Sequence, residues 1–228
     1  MQKFILILFS LLWAHGAAGL TDDEIIDRIY EHVSQMEKKF PNTHIRRTMT
    51  VRELDPDSGK VRKTSISDQD VSTRIGEHPQ IKILSCSIDG ANAKPEACKR
   101  KQRDRKPPLR LFGPSGHDHY RFELALQKPE DNKESYRLRV IPKQKTDRHF
   151  TGVLEFDARD LSLRFYRGTI ADFPLGMKEM EMEFFFDNVD GRSVPSKTRM
   201  DMTLYLPLVL NSRVISESVT SESRIPTD

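Results

Sequence analysis
Very little in this chain marks it as a catalyst. Its 228 residues include only two cysteines, one tryptophan and 11 glycines. There is no glycine-rich phosphate loop and no dinucleotide fingerprint, so no nucleotide or other cofactor is expected. Ser115 sits in Gly113-Pro114-Ser115-Gly116 without the strand–elbow–helix setting a hydrolase serine requires, and no catalytic residue is assigned. Cys86 and Cys98 have no histidine close in sequence, which argues against a zinc site. A net charge of +3 excludes a globally cationic nucleic-acid binder. Beyond residue 19 no run approaches a membrane span; the most apolar one, Leu204–Leu210, is broken by Pro207.

What is present begins at residue 1. Lys3 precedes an apolar stretch, Phe4–Phe9 and Leu11-Leu12-Trp13, and Ala17-Ala18-Gly19 places small residues before Leu20. This is the layout of a cleaved secretory signal over residues 1–19, and it leaves residues 20–228 as a single domain. No cysteine lies near the cut, so the mature chain is expected to be exported but not lipidated. In an oxidising compartment Cys86 and Cys98 read as one disulfide.

Thr21-Asp22-Asp23-Glu24 has the form of a capping box, followed by Ile25, Ile26, Ile29, Val33, Met36 and Phe40 at helical spacing. The spacing predicts one amphipathic helix ending at Pro41-Asn42. From Ile45 the period becomes two. Ile45–Leu54 and Lys60–Ile66 read as a hairpin around Asp55–Gly59, and Ile81–Ser87 as a further strand. A short second helix is expected around Glu96–Arg103. The second half alternates through strands near 120–126, 136–140, 152–157, 161–166, 180–186, 200–206 and 213–221, with turns at Asp131-Asn132, Asp157–Asp160 and Asp190-Gly191. Each strand has one apolar and one wet face, so one side of the sheet needs a cover. The fold class predicted is mostly β (α+β): a curved antiparallel sheet, an incomplete barrel, with its concave face covered by the N-terminal amphipathic helix and the short second helix.

Three clusters are candidates for function. Phe122, Leu124, Tyr136, Leu138, Leu154, Phe156, Phe165, Met182, Phe184, Met200 and Met202 share one face if the strands stay in phase. A cavity lined by Phe, Met and Leu suits acyl chains, each buried methylene contributing about 0.8 kcal/mol; the same residues also suit a dry core. Lys99, Arg100, Lys101 and Arg103 lead a basic run beside the cysteines, suited to anionic headgroups, an acidic partner or transient contact with a membrane surface, or simply to a solvated loop. His117-Asp118-His119 places two imidazoles on one face of a strand, but no further ligand cluster accompanies them, and no metal is expected.

The C-terminal half carries a recognisable order of motifs. Tyr136-Arg137-Leu138-Arg139-Val140-Ile141-Pro142 leads into Gly152-Val153-Leu154-Glu155-Phe156-Asp157. Leu161-Ser162-Leu163-Arg164-Phe165 follows, then Val189-Asp190-Gly191-Arg192-Ser193-Val194-Pro195. Over roughly residues 120–220 this resembles the periplasmic lipoprotein-carrier superfamily (LolA/LolB-like), in particular its outer-membrane lipoprotein-sorting group. The resemblance implies an unclosed antiparallel barrel, helices plugging an apolar concave face, and a cavity that accepts acyl chains of lipids or lipoproteins. It implies a periplasmic binding or carrier protein, not an enzyme. The alternative is a stress-sensing or envelope-interaction module on the same scaffold that binds a protein partner. The acylated cysteine of the family's outer-membrane receptor has no counterpart here.

Overall fold
A computed structural model describes residues 20–99, 109–113, 115–125, 135–207 and 210–225. The expected signal segment, the turn at Asp131-Asn132 and Arg100, Lys101 and Arg103 lie outside the described residues.

The chain opens with α1 (Asp22–Lys39). Its capping box is complete: the Thr21 hydroxyl accepts from the Glu24 N–H, and the Glu24 carboxylate accepts from the Thr21 N–H. Asp22, Asp23 and Glu24 at the start and Lys38 and Lys39 at the end complement the helix dipole. Then come β1 (Asn42–Leu54), β2 (Val61–Arg74), β3 (Gln80–Ile88), the two-residue β4 (Ala91–Asn92), and the single turns α2 (Pro95–Cys98) and α3 (Gly116–His119). The remainder is β5 (Tyr120–Ala125), β6 (Ser135–Pro142), β7 (Phe150–Asp157), β8 (Leu163–Ile170), β9 (Met177–Val189), β10 (Arg192–Leu206) and β11 (Leu210–Arg224).

All eleven strands form one antiparallel sheet in the order β4-β3-β2-β1-β11-β10-β9-β8-β7-β6-β5, which is not closed into a barrel. Among the described residues, only the β1–β11 pairing joins strands far apart in sequence. The mostly β, incomplete-barrel architecture is as predicted. Helix α1 lies over the β5 side and inserts Ile25, Ile26 and Ile29 among Phe122, Leu138, Val140, Leu154 and Phe156.

One transverse row explains the asymmetry of the concave face. Leu124, Leu138, Leu154, Tyr166, Phe184, Thr198, Ser218, Met49, Ser67 and Cys86 stand opposite one another across ten strands. The first five are large and apolar or aromatic; the last five are small or polar apart from Met49. The sheet therefore has an oily half, which needs the helix, and a hydroxyl-rich half. The convex face carries the opposite set. Glu123, Arg139, Val153, Arg167, Glu183, Arg199 and Glu217 follow one another there, with charges alternating in sign except at Val153.

Cys86 and Cys98 are bonded and hold α2 over β3 and β2. The bridge closes a loop of separation 12. Cys98→Ser is expected to lower stability by roughly 2–3 kcal/mol. Urea unfolding of the oxidised protein checks this, and reductant should bring the wild type down to the variant.

Of the expected second helix, the described part is one turn: Pro95 starts it and it ends at Cys98, with Lys99 as the C-cap, while residues 100–103 lie outside the described residues. The pair His117 and His119 differs from expectation. They lie on the single helical turn α3 rather than on a strand, with His117 stacked on Tyr30 at 3.9 Å.

Candidate functional site
The site is built by three segments distant in sequence. Helix α1 supplies Val33 and Met36. The segment 109–113 crosses the concave face and supplies Leu109, Leu111 and Phe112. The sheet supplies Phe150 at the start of β7 and Leu163 at the start of β8, and the turn between the two strands supplies Leu161. Between them is a cavity of 390 Å³, in the range of small-molecule sites. Leu163 stands opposite Phe156, six residues along β7 from Phe150, so the lining residues are spread over ~20 Å in the strand direction.

Its crossing segment is pinned at both ends. The Leu109 N–H donates to the Arg148 carbonyl at 3.0 Å, and the Tyr120 hydroxyl donates to the Leu109 carbonyl at 3.3 Å. At the far end the Tyr30 hydroxyl donates to the Gly113 carbonyl, and Arg110 forms an ion pair with Glu37. Phe112 is the wedge, stacked on Phe122 at 5.4 Å and edge-on to Phe156 at 5.9 Å.

The polar rim consists of His32, Glu37, Arg110, Arg192 and Ser193. Burial pushes the Glu37 carboxyl up from its ordinary value, partly offset by Arg110 and Arg192. Burial likewise lowers the Arg192 guanidinium, which donates to the Phe40 carbonyl and, at 2.8 Å, to the Asn42 carbonyl. Arg192 thus closes off the C-terminal end of α1 and ties it to the β9–β10 turn. A larger hollow of 660 Å³ lies by Pro56, Lys178, Glu179 and Arg213 at the hairpin end of the sheet. Its walls are mostly polar and charged and Arg213 is already held by Asp201 at 2.6 Å, so it offers little apolar surface to a chain-like ligand.

The sequence-predicted stripe is placed as follows. Phe122, Leu138, Leu154, Phe156 and Met182 face the concave side and are closed into the core, each 7% exposed or less. Leu124, Tyr136, Phe184 and Met200 pack around that core and are partly exposed. Met202 faces the same way, opposite Met180 and Val214. Phe165 does not: a β-bulge at Arg164 sets Leu163 opposite Phe156 and Phe165 opposite Glu155, which turns Phe165 to the convex face against Phe185 at 4.9 Å. Tyr166 takes the place on the core side. None of the eleven lines the 390 Å³ cavity; its walls are Val33, Met36, the 109–112 segment, Phe150, Leu161 and Leu163. Of the basic run, Lys99 is described and exposed.

Below Leu109, a second group was not signalled by spacing. His149 is 3% exposed; its Nδ1 meets the Thr146 hydroxyl at 2.7 Å, while its Nε2 is buried without a partner among the described residues. The His119 and Tyr120 rings each lie 5.6 Å away. Burial, then the neighbouring His119, lowers the His149 pKa from its ordinary 6.5. The unfolded chain therefore takes up a proton that the folded chain resists. This group's contribution is complete above about pH 6.5 and is lost as the pH falls below it. Thermal melting from about pH 8 to 5 should show a decline in wild type that is shallower in His149→Gln.

No family model matches the sequence, and no similar curated protein is found. Solved structures are similar over most of the chain. One is a LolA superfamily protein, NE2245 from Nitrosomonas europaea, with 15% identity, 92% of this chain and 96% of that chain covered, and a TM-score of 0.45. Another is a putative outer membrane lipoprotein-sorting protein domain from Vibrio parahaemolyticus, with 11% identity, coverage of 88% and 93%, and a TM-score of 0.41. A third is the MucA/MucB complex of Pseudomonas aeruginosa, with 10% identity, coverage of 88% and 99%, and a TM-score of 0.28. The first two carry the family names that the sequence motifs resemble. Among the described residues, no helix is long and apolar enough to cross a membrane.

Proposed function
We propose that this protein binds the acyl chain of a lipid or lipidated protein beneath α1 and carries it through the periplasm, without catalysis. The observation that supports this reading most is the 390 Å³ apolar cavity between α1, the 109–113 segment and the oily half of the sheet. Such a site rewards buried area rather than hydrogen bonding, which is what a chain of methylenes offers. The disulfide and the signal-like residues 1–19 fit an oxidising, extracytoplasmic destination. In this account residues 20–228 act as one half-barrel domain, and the ligand enters when α1 and the crossing segment loosen. Among the described residues the crossing segment is held by individual hydrogen bonds to Arg148, Tyr120 and Tyr30 rather than by strand pairing, which suits a cover that must open.

Titration with a fluorescent long-chain fatty acid tests the reading. Wild type should bind saturably, and Leu163→Trp, which fills the cavity, should weaken binding by about tenfold or more. Absence of saturable binding, or equal binding by the filled variant, would sink it.

A further inference from the structure
We infer that Arg47, on the hydroxyl-rich half of the concave face, holds the anionic headgroup of an acyl-chain ligand whose tail lies under α1. This rests on the carrier reading above and narrows it from any apolar chain to negatively charged amphiphiles.

On the convex face Arg46 meets Asp70, Arg52 meets Glu217, Arg137 meets Glu155 and Arg213 meets Asp201, all at 3.1 Å or less. Arg47 points to the other side of the sheet, because it shares its face with Met49 and Gln69. It is half-buried, and among the described residues no carboxylate is in ion-pair range of it. Its Nε and Nη2 donate to the Gln69 Oε1 at 3.1 and 3.0 Å. Gln69 is 4% exposed and is itself held, its Nε2 donating to the Ser67 hydroxyl at 2.8 Å. Two of the guanidinium's five N–H donors are thus satisfied by a neutral amide, and among the described residues the positive charge has no counter-charge. A partly desolvated cation in that position is an unfavourable arrangement unless an anion completes it. Consistently, burial alone pulls the Arg47 pKa below its ordinary value. A planar fork fixed by a buried amide is suited to carboxylate or phosphate oxygens, which it meets two at a time.

The surroundings supply further neutral donors. Ser216 and Ser218 are buried on this face, and the Ser218 hydroxyl is paired with that of Thr198 at 2.7 Å. Neighbouring residues lead across the sheet from Arg47 towards the tail site. Arg47 stands opposite Thr220, whose hydroxyl donates to the Pro195 carbonyl at 2.7 Å, and Pro195 stands opposite Phe186 at the edge of the oily core. Leu163 is one strand further. From β1 to β8 there are four strand spacings, ~19 Å along the sheet. One long amphiphile bridges the two sites; a short one reaches only one of them.

The test compares a long-chain polyene fatty acid with its methyl ester, read by fluorescence at about pH 8, where the acid is ionised. Wild type should bind the acid at least roughly tenfold more tightly than the ester, as expected for charge-assisted hydrogen bonds. Arg47→Met should erase the preference and leave ester binding unchanged; Arg47→Lys should keep part of it. Equal binding of acid and ester by wild type would overturn the headgroup assignment while leaving the carrier reading intact, and this arm needs no variant to fold. A preference that survives in Arg47→Met would also overturn it. Binding of neither probe would overturn both readings. Inorganic phosphate alone, at millimolar concentration, should not displace the acid; displacement would make the ligand a free anion and reject the amphiphile.

Discussion

Ile29→Asp is expected to lower stability by about 3–5 kcal/mol and to abolish fatty-acid binding. Ile29 is 0% exposed and sits with Ile25 and Ile26 in the cluster formed by Phe122, Leu138 and Phe156. A carboxylate there would be enclosed by apolar side chains and closed to solvent. It must either remain charged at a large penalty, take a proton, or leave by detaching the helix. Detachment is the cheapest route, because the capping box at Thr21 and Glu24 supports α1 independently of the sheet. With α1 goes one wall of the cavity, since Val33 and Met36 follow on the same helix. The exposed neighbour Arg28 provides the control: Arg28→Asp should change stability by no more than ~0.5 kcal/mol. Urea unfolding followed by circular dichroism distinguishes the two. A loss below ~1 kcal/mol for Ile29→Asp would mean that α1 does not depend on this contact.

Gly152→Val is expected to be as severe, for a different reason. Gly152 and Gly168 face one another on β7 and β8. Gly152 has a φ of +157°, and a Cβ there would lie 2.2 Å from the Arg167 carbonyl oxygen and 2.6 Å from the Gly168 Cα. A Cβ on Gly168 would in turn lie 2.2 Å from the Thr151 carbonyl oxygen. The obstacles are backbone atoms, which cannot rotate away. The strands would have to part where Tyr166 and Phe150 are packed edge to face at 6.3 Å. The expected loss is about 3 kcal/mol or more, read as a fall in the urea midpoint without a change in its slope. A variant within ~1 kcal/mol of wild type would contradict the close approach of these strands.

Much of the fold was legible because it is written locally. The Thr21–Glu24 box and the isoleucine spacing define α1 to within a residue at either end, and alternation locates β5 to β11. What escaped was set by tertiary context. Ser67 to Arg74 extends β2 by eight residues although few of them are apolar; those residues belong to the hydroxyl-rich half of the sheet, where alternation of oil and water does not apply. Phe165 was assigned to the wrong face because one bulge residue, Arg164, shifts the phase, and a bulge has no signature in the alternation itself. The cavity was less legible still. Leu109, Leu111 and Phe112 lie in an aperiodic segment between prolines and glycines, and their role comes from crossing the sheet to meet Val33, Met36 and Leu163. The stripe read from the strands is instead mostly the floor of a closed core. His149 gave no signal either, because its partner Thr146 is local but its burial under Tyr120 is not.

The central claim is that an acyl chain lies between α1, the 109–113 segment and β7–β8. A fatty acid carrying a diazirine near the end of its chain, photolysed on the purified protein and mapped by peptide mass spectrometry, tests it most directly. The account predicts adducts on Val33, Met36, Phe112, Leu161 or Leu163, and their disappearance in Leu163→Trp. Adducts scattered over the convex face, or none above the level seen with denatured protein, would contradict it.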